Sequence, residues 1–249
     1  MHTYTMLAFD LDGTLTPSKQ EIKPQLARRL LELLETYSVT VIGGGKYEQF
    51  RIGLVEPLLS VVDDRSVPHK LFLFPTCSCS FYRFNGKEFY AVYEERLSAE
   101  EIQKITEVLE TMIEKFDLHI EKSYGERIEN RGSQVTFSMF GQEAPIEVKG
   151  VWDPDTTKRK PLAAYVQRML PDFEVRMGGT SSLDVTRKGI DKGYGMQKIM
   201  ELFKLTNKDI VFFGDKLMEG GNDYPVKRTG VRCIAVKNDD DTLEKLKSF

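Results

Sequence analysis

Four short segments of this 249-residue chain hold the residues that could do chemistry. Asp10-Leu11-Asp12-Gly13-Thr14 follows an apolar run, Tyr4–Phe9. Gly214-Asp215-Lys216 follows a second run, Ile210–Phe213, and Gly220-Gly221-Asn222-Asp223 comes a few residues later. Asp191-Lys192-Gly193 opens a stretch with helical spacing. Carboxylates brought together repel and raise one another's pKa unless a cation joins them. Oxygen donors in this number suit Mg2+, which accepts waters and phosphate oxygens as further ligands. Such an ion would let an anionic carboxylate approach an anionic phosphate ester. Asp10 is then the candidate nucleophile, forming an aspartyl phosphate. Asp12 is the candidate acid and base, protonating the leaving oxygen and later deprotonating the incoming nucleophile. Lys192 would complete the charge balance. Taken singly, each Asp could equally cap a helix or make a turn. Taken together, at two strand ends with a lysine between, they read as one site.

The elements around these segments must bring them together. Tyr4–Phe9 reads as a buried strand, and Ile22, Leu26, Leu30, Leu33, Leu34 and Tyr37 recur at helical spacing. Val39–Ile42 is a second short strand, closed by Gly43-Gly44-Gly45. Strand, helix and strand with short connections predict a parallel sheet, whose ligands bind beyond the carboxyl ends of the strands. The end of the chain repeats this order: a helix over 191–204, strands at Ile210–Phe213 and Val231–Val236, and a charged helical tail from Asp239. If the first and the late strand are neighbours, Asp10, Asp215 and Asp223 converge.

The middle differs. Phe81–Phe84 and Phe89–Tyr93 flank Asn85-Gly86, a hairpin signal. Ser98-Ala99-Glu100-Glu101 is a capping box opening an amphipathic helix to about residue 115. A half-buried strand at Val135–Phe140, a helix over Thr156–Leu170, and strands at Phe173–Met177 and Leu183–Thr186 complete an α+β pattern. The expected fold is α/β: a Rossmann-like core of 1–80 plus 187–249, interrupted by an α+β insert of 81–186.

Composition excludes several classes. The net charge is -3, 41% of residues are hydrophobic and 29% charged, so no strong field points to nucleic acid or to a membrane surface. No apolar run approaches the roughly 20 residues of a membrane-spanning helix, and Met1–Thr5 has no signal-peptide character. Three cysteines, Cys77, Cys79 and Cys233, make an odd and sparse set that fits a reducing, cytoplasmic compartment. His2, His69 and His119 are scattered without ligand spacing, and Gly43-Gly44-Gly45-Lys46 lacks the spacing of a P-loop. Trp152-Asp153-Pro154-Asp155 reads as a loop without chemistry.

Asp10-Leu11-Asp12-Gly13-Thr14, Lys192 and Gly214-Asp215 through Asn222-Asp223 resemble motifs I, III and IV of the haloacid dehalogenase (HAD) superfamily. The resemblance implies Asp10 as nucleophile and Asp12 as acid/base. It implies Mg2+ held by Asp10, the Asp12 carbonyl and Asp215, with Asn222 and Asp223 close by, and it makes the insert a type IIB cap. Asp12-Gly13-Thr14-Leu15-Thr16-Pro17, Phe212 through Asp223, and Gly178-Gly179…Ser182-Leu183-Asp184-Val185 resemble the eukaryotic-type phosphomannomutases more narrowly. That likeness implies that Ser182 and Asp184 help hold the substrate, that Gly43 and Gly44 offer backbone N–H groups to the phosphoryl oxygens, and that Arg131 meets a distal phosphate. It also implies that the cap can join a homodimer.

The chain departs from that pattern at Gly45, where the family usually has Ser, and at Lys19, where it has Arg. Tyr124 and Gln142 stand where two further arginines are expected, with Arg127, Lys122 and Lys149 as candidate substitutes. Each lost charge-assisted contact costs on the order of 1.5–3 kcal/mol. The first expectation is therefore a Mg2+-dependent phosphohydrolase acting on a sugar phosphate or similar small monoester. The alternative is a phosphomannomutase interconverting mannose 6-phosphate and mannose 1-phosphate. A non-catalytic sugar-phosphate binder is the third reading.

Overall fold

A computed structural model describes residues 4–17, 20–61 and 67–249. The chain forms two compact units, Met1–Glu94 with Asp191–Phe249, and Glu95–Ile190. In the first unit, strands β1 (Met6–Asp10), β2 (Ser38–Ile42), β3 (Leu71–Phe74), β4 (Ser80–Phe84) and β5 (Phe89–Glu94) are joined by two late strands. In the second, β6 (Ile128–Asn130), β7 (Gln134–Ser138), β8 (Phe173–Gly178) and β9 (Ser182–Arg187) form a separate sheet. The late strands of the first unit are β10 (Ile210–Gly214) and β11 (Arg232–Ala235).

The first sheet runs β11-β10-β1-β2-β3-β4-β5. Its five strands from β11 to β3 are parallel, with Phe9 opposite Phe213 and Asp10 opposite Ile42. The three central strands β10, β1 and β2 are almost wholly buried and mostly apolar because helices cover both faces. Leu7, Phe9, Val41 and Phe213 pack with Leu26, Leu30 and Leu34 of the helix Pro24–Thr36 and with Leu246 of the helix Asp239–Leu246. Met6, Ala8 and Phe212, on the other face, pack with Met196 and Ile199 of the helix Lys192–Phe203. The carboxyl ends of β10, β1 and β2 therefore lie side by side, as the ligand-binding edge of an α/β sheet requires.

One assignment from sequence is corrected here. The hairpin β4–β5 is present, its turn closed by Asn85 Oδ1 accepting from the N–H groups of Lys87 and Glu88 at 2.9 Å. It extends the first sheet and does not belong to the insert, which begins near residue 95 and not at 81. The cause is tertiary: β3 would otherwise be an open apolar edge, and Phe81 stacks on Phe74 with ring centroids 4.6 Å apart.

The second unit has an antiparallel sheet of order β6-β7-β9-β8. Val135, Phe137, Leu183 and Val185 face the helices Ala99–Lys115 and Arg159–Met169 in one core. The helix Ala99–Lys115 starts at the expected capping box: Ser98 Oγ accepts from Glu101 N at 3.2 Å, and Glu101 Oε2 accepts from Ser98 N at 2.6 Å. Arg187, at the end of β9, donates to both carboxylate oxygens of Glu101 at 3.0 and 2.7 Å. The arginine and the cap together hold the Glu101 carboxyl down to about 2. Because the folded pKa is depressed, the stabilisation is present above the unfolded value and lost as pH falls toward 2. Glu101→Gln should lower stability by about 0.5–1 kcal/mol at neutral pH, a figure kept small by solvent exposure. Urea unfolding should show the deficit disappearing in strong acid.

Candidate active site

Asp10 ends β1 and is buried. The chain then turns tightly: Leu11 O accepts from Leu15 N at 2.9 Å and from Thr16 N at 3.0 Å, while Gly13 N donates to Thr16 O at 2.7 Å. Gly13 has φ +85°, and a Cβ there would come within 2.7 Å of Asp215 Oδ2. Glycine is thus required twice, by backbone conformation and by the approach of the second carboxylate.

Lys192 opens its helix directly after the cap residue Asp191, whose side chain accepts from Tyr194 N at 2.8 Å and is also met by Arg228. That fixed start aims the lysine into the unit, where it is fully buried. Its ammonium donates to Asp10 Oδ1 and, at 2.6 Å, to Asp223 Oδ1. Burial alone would lower the lysine's pKa; Asp10 and Asp223 outweigh it and raise the value, so the ammonium stays charged. Asp10 is pushed well above the usual carboxylate range, by burial first and by Asp223 and Asp215 as well, against the pull of Lys192. Asp215 is raised too, again mainly by burial.

One oxygen each of Asp10, Asp215 and Asp223 lies within 4.8 Å of the others. Asp223 is already committed: Oδ1 accepts from Lys192, and Oδ2 from Lys216 N at 3.0 Å. Asp215 Oδ1 and Asn222 Oδ1, by contrast, are buried without a hydrogen-bond partner. Orphaned buried oxygens are costly and rare; the one on Asp215 belongs to the cluster with Asp10 that could hold a divalent cation, and the one on Asn222, next to Asp223 in sequence, is a further candidate ligand. Asp223 in this arrangement anchors Lys192.

Gly43 and Gly44 sit at the carboxyl end of β2, as expected, but the Gly43 N–H is not aimed at a ligand. It donates to Phe74 O at 3.2 Å, and Gly43 O accepts from Cys77 N at 2.9 Å. Thr76 N likewise donates to Gly45 O at 2.9 Å. Gly43 therefore braces the loop. The braces come from a turn in which Thr76, Cys77 and Ser78 all have positive φ, 49°, 53° and 73°. Left-handed backbone costs a non-glycine residue roughly 1–2 kcal/mol, and no Gly or Asn marks the turn in the sequence. Cys77→Gly should raise stability by about 0.5 kcal/mol, the strain relieved less the extra entropy glycine gives the unfolded chain. Thermal unfolding measures it.

Arg131, Ser182 and Asp184 lie in the second unit. Glu129, Thr136, Asp184 and Arg176 form a cross-strand row on the sheet face opposite the helices. Asp184 Oδ1 accepts from Thr136 Oγ1 at 2.8 Å. Arg131 donates from Nε to Glu129 Oε2 at 2.7 Å and from Nη2 to Gln142 Oε1 at 3.0 Å. The three candidate substitutes are engaged elsewhere: Arg127 with Leu118 O at 2.8 Å, Lys149 with Gln142 O at 2.9 Å, and Lys122 over the Tyr124 ring. His2 and Lys19 lie outside the described residues.

Sequence reasoning missed Asp153 and Arg159. The two form a buried pair at 2.7 Å, and Arg159 Nη1 donates to the carbonyls of Gly178, Gly179 and Ser182 at 2.9, 3.2 and 3.3 Å. The guanidinium thus fixes the turn that presents Ser182 and Asp184. An Asp six residues before an Arg carries no signal by itself, since the contact is made across a loop.

Comparison with known proteins gives the family. Residues 26–249 match the model of the eukaryotic phosphomannomutase family. The phosphomannomutase of Schizosaccharomyces pombe is 28% identical over 98% of this chain and 94% of its own length. That of Saccharomyces cerevisiae is 28% identical over 97% and 92%. In structure, the chain is similar to an IMP-bound IMP-nucleotidase of Plasmodium falciparum, with TM-score 0.73 and 19% identity, over 99% of this chain and 68% of that one. It is also similar to a haloacid dehalogenase-like hydrolase from Bacteroides thetaiotaomicron, with TM-score 0.64 and 17% identity, over 99% of each. The structural likenesses establish the HAD fold. With the sequence match across nine-tenths of its length, the chain is a phosphoryl-transfer enzyme of the HAD superfamily and belongs to the eukaryotic phosphomannomutase family.

Proposed function

We propose that this enzyme is a phosphomannomutase, moving a phosphoryl group between the two ends of a hexose phosphate by way of Asp10. The family match over residues 26–249 carries the reading and reverses the order reached from sequence, which placed a phosphohydrolase first. An Asp10 oxygen attacks phosphorus, the bond to the leaving oxygen breaks, and Asp12 gives that oxygen a proton. The aspartyl phosphate then passes its phosphoryl group to a hydroxyl at the other end of the sugar, whose proton returns to Asp12. Lys192 orients Asp10 and pulls against the burial and neighbouring acids that favour its protonation, and Asp223 keeps Lys192 in place. A bound Mg2+, held by Asp10, the Asp12 carbonyl, Asp215 and Asn222, would neutralise phosphate charge and favour in-line approach.

A second reading, hydrolysis, is favoured by one observation. Arg131 is matched internally by Glu129 and Gln142, which leaves less positive charge for a distal phosphate. Phosphorus NMR of mannose 1-phosphate incubated with enzyme, Mg2+ and a hexose 1,6-bisphosphate separates the two. Mannose 6-phosphate formed without net phosphate release is the expected result. Inorganic phosphate as sole product would replace the mutase reading with the hydrolase.

A further inference from the structure

The helix that delivers Lys192 begins Lys192-Gly193-Tyr194-Gly195, and both glycines are buried. Glycine is the poorest helix former after proline, so two in one turn ask for a steric reason. At about 100° per residue, positions 193 and 195 face nearly opposite sides of the helix. A Cβ at Gly193 would come within 2.6 Å of Pro225 O, in the short helix that follows Asp223. A Cβ at Gly195 would overlap Ser78 Oγ and lie 2.7 Å from Ser78 Cβ. The first turn of the helix is therefore wedged between Pro225 and Ser78, and a side chain on either face would push it out.

Both supports adjoin groups of the site. Pro225 comes two residues after Asp223, which accepts from the Lys192 ammonium. Ser78 ends the left-handed turn whose Thr76 N and Cys77 N donate to Gly45 O and Gly43 O, each at 2.9 Å. Ser78 is fully buried, and among the described residues its hydroxyl has no hydrogen-bond partner. A buried hydroxyl left unpaired is unfavourable, so what Ser78 offers Gly195 is shape. Tyr93 fastens the turn to the same helix. Its hydroxyl donates to Ser78 O at 3.0 Å, and the Lys198 ammonium lies over its ring, 4.2 Å from the centroid. One turn thus braces the loop at the end of β2 and seats the helix that carries the lysine.

We propose that Gly195 is a positioning residue for phosphoryl transfer. Its bare face, seated on Ser78, sets the depth at which Lys192 meets Asp10 and Asp223 and keeps that lysine in register with the Gly43–Gly45 loop. Gly195 acts through Lys192 and touches no substrate. The proposal rests on the reading of Asp10 and Lys192 as phosphoryl-transfer residues. A shift of about 1 Å in a group that aligns the reaction can cost on the order of a hundredfold in rate.

The test is Gly195→Ala, alone and combined with Ser78→Gly, which removes the obstructing side chain and suits the φ of 73° at that position. In the single variant, kcat with mannose 1-phosphate should fall about tenfold or more while KM stays at the wild-type value. The double variant should recover most of the loss, because the two positions share one contact. A crystal structure of the single variant should show Lys192 Nζ withdrawn from Asp223 Oδ1, 2.6 Å away in the wild type, and the double should bring it back. An unchanged kcat, an unmoved lysine, or a double variant no better than the single overturns the proposal. If Gly195→Ala does not fold, the double variant decides: folded and active supports the seat, unfolded or inactive overturns it. Isomer and free phosphate both count as turnover, so failure of the mutase reading leaves the comparison intact. Turnover surviving Asp10→Asn is the separate sign that the underlying reading has failed.

Discussion

Asp10→Asn will abolish turnover, with kcat lowered by about 10^4-fold or more, while the protein remains folded. Asparagine keeps the size of the side chain and removes the nucleophilic oxygen, so the loss of about 5–6 kcal/mol of transition-state stabilisation is chemical. Lys192 retains Asp223 as its partner in the variant, and one of three crowded carboxylates is neutralised, so the site does not collapse. Acid-quenched enzyme should carry label from a radioactive phosphoryl donor in the wild type and none in the variant. Turnover at the wild-type rate would remove the covalent step and with it the role of β1 in aiming Asp10.

Lys192→Met carries the largest expected effect on stability. Among the described residues the Lys192 ammonium is the cation paired with Asp10 and Asp223, and it is buried with them. Without it Asp10, Asp215 and Asp223 share a largely buried site with no cation between them. Breaking a buried pair by removing one partner costs about 3–5 kcal/mol. The carboxyls then hold protons more tightly in the folded state than in the unfolded chain. Stability is therefore best preserved in acid, below about pH 4, and falls as pH rises toward neutrality. Mg2+ should restore more stability to the variant than it adds to the wild type, since it would replace the missing charge; saturation at a hundred times Kd contributes about 2.7 kcal/mol. Urea midpoints in acid and at neutrality, with and without Mg2+, measure all three effects. A variant as stable as wild type in chelator would show that these groups do not form one charged cluster.

The convergence of Asp10 with Asp215 was legible because each follows an unbroken apolar run. Such runs mark strands covered on both faces, and parallel strands share one ligand-binding edge. Lys192 was legible from the Asp191 cap that starts its helix. What escaped depended on partners distant in sequence. The alternation in Phe81–Phe84 and Phe89–Tyr93 specifies a hairpin but not the edge it joins, and only Phe74 decides that. The Gly43 N–H looks free in the sequence, yet Phe74 O takes it. The left-handed turn at Thr76–Ser78 has none of the residues that usually announce one, and the Arg159 clamp spans a loop whose residues named no chemistry.

The first sheet has one further consequence, for the time order of biosynthesis. β1 is made first, but its neighbour β10 comes about 200 residues later, after the whole second unit. Domains begin to fold as they emerge, N-terminal parts first. Until Ile210–Gly214 leaves the ribosome, one side of β1 has no partner strand, and Asp10 lacks its companion acids, Asp215 and Asp223. A nascent chain therefore carries a complete nucleophile motif that is inert. The active site also needs Lys192, Asp215 and Asp223, so a product cut short before them would have the Asp10–Thr14 motif and no activity.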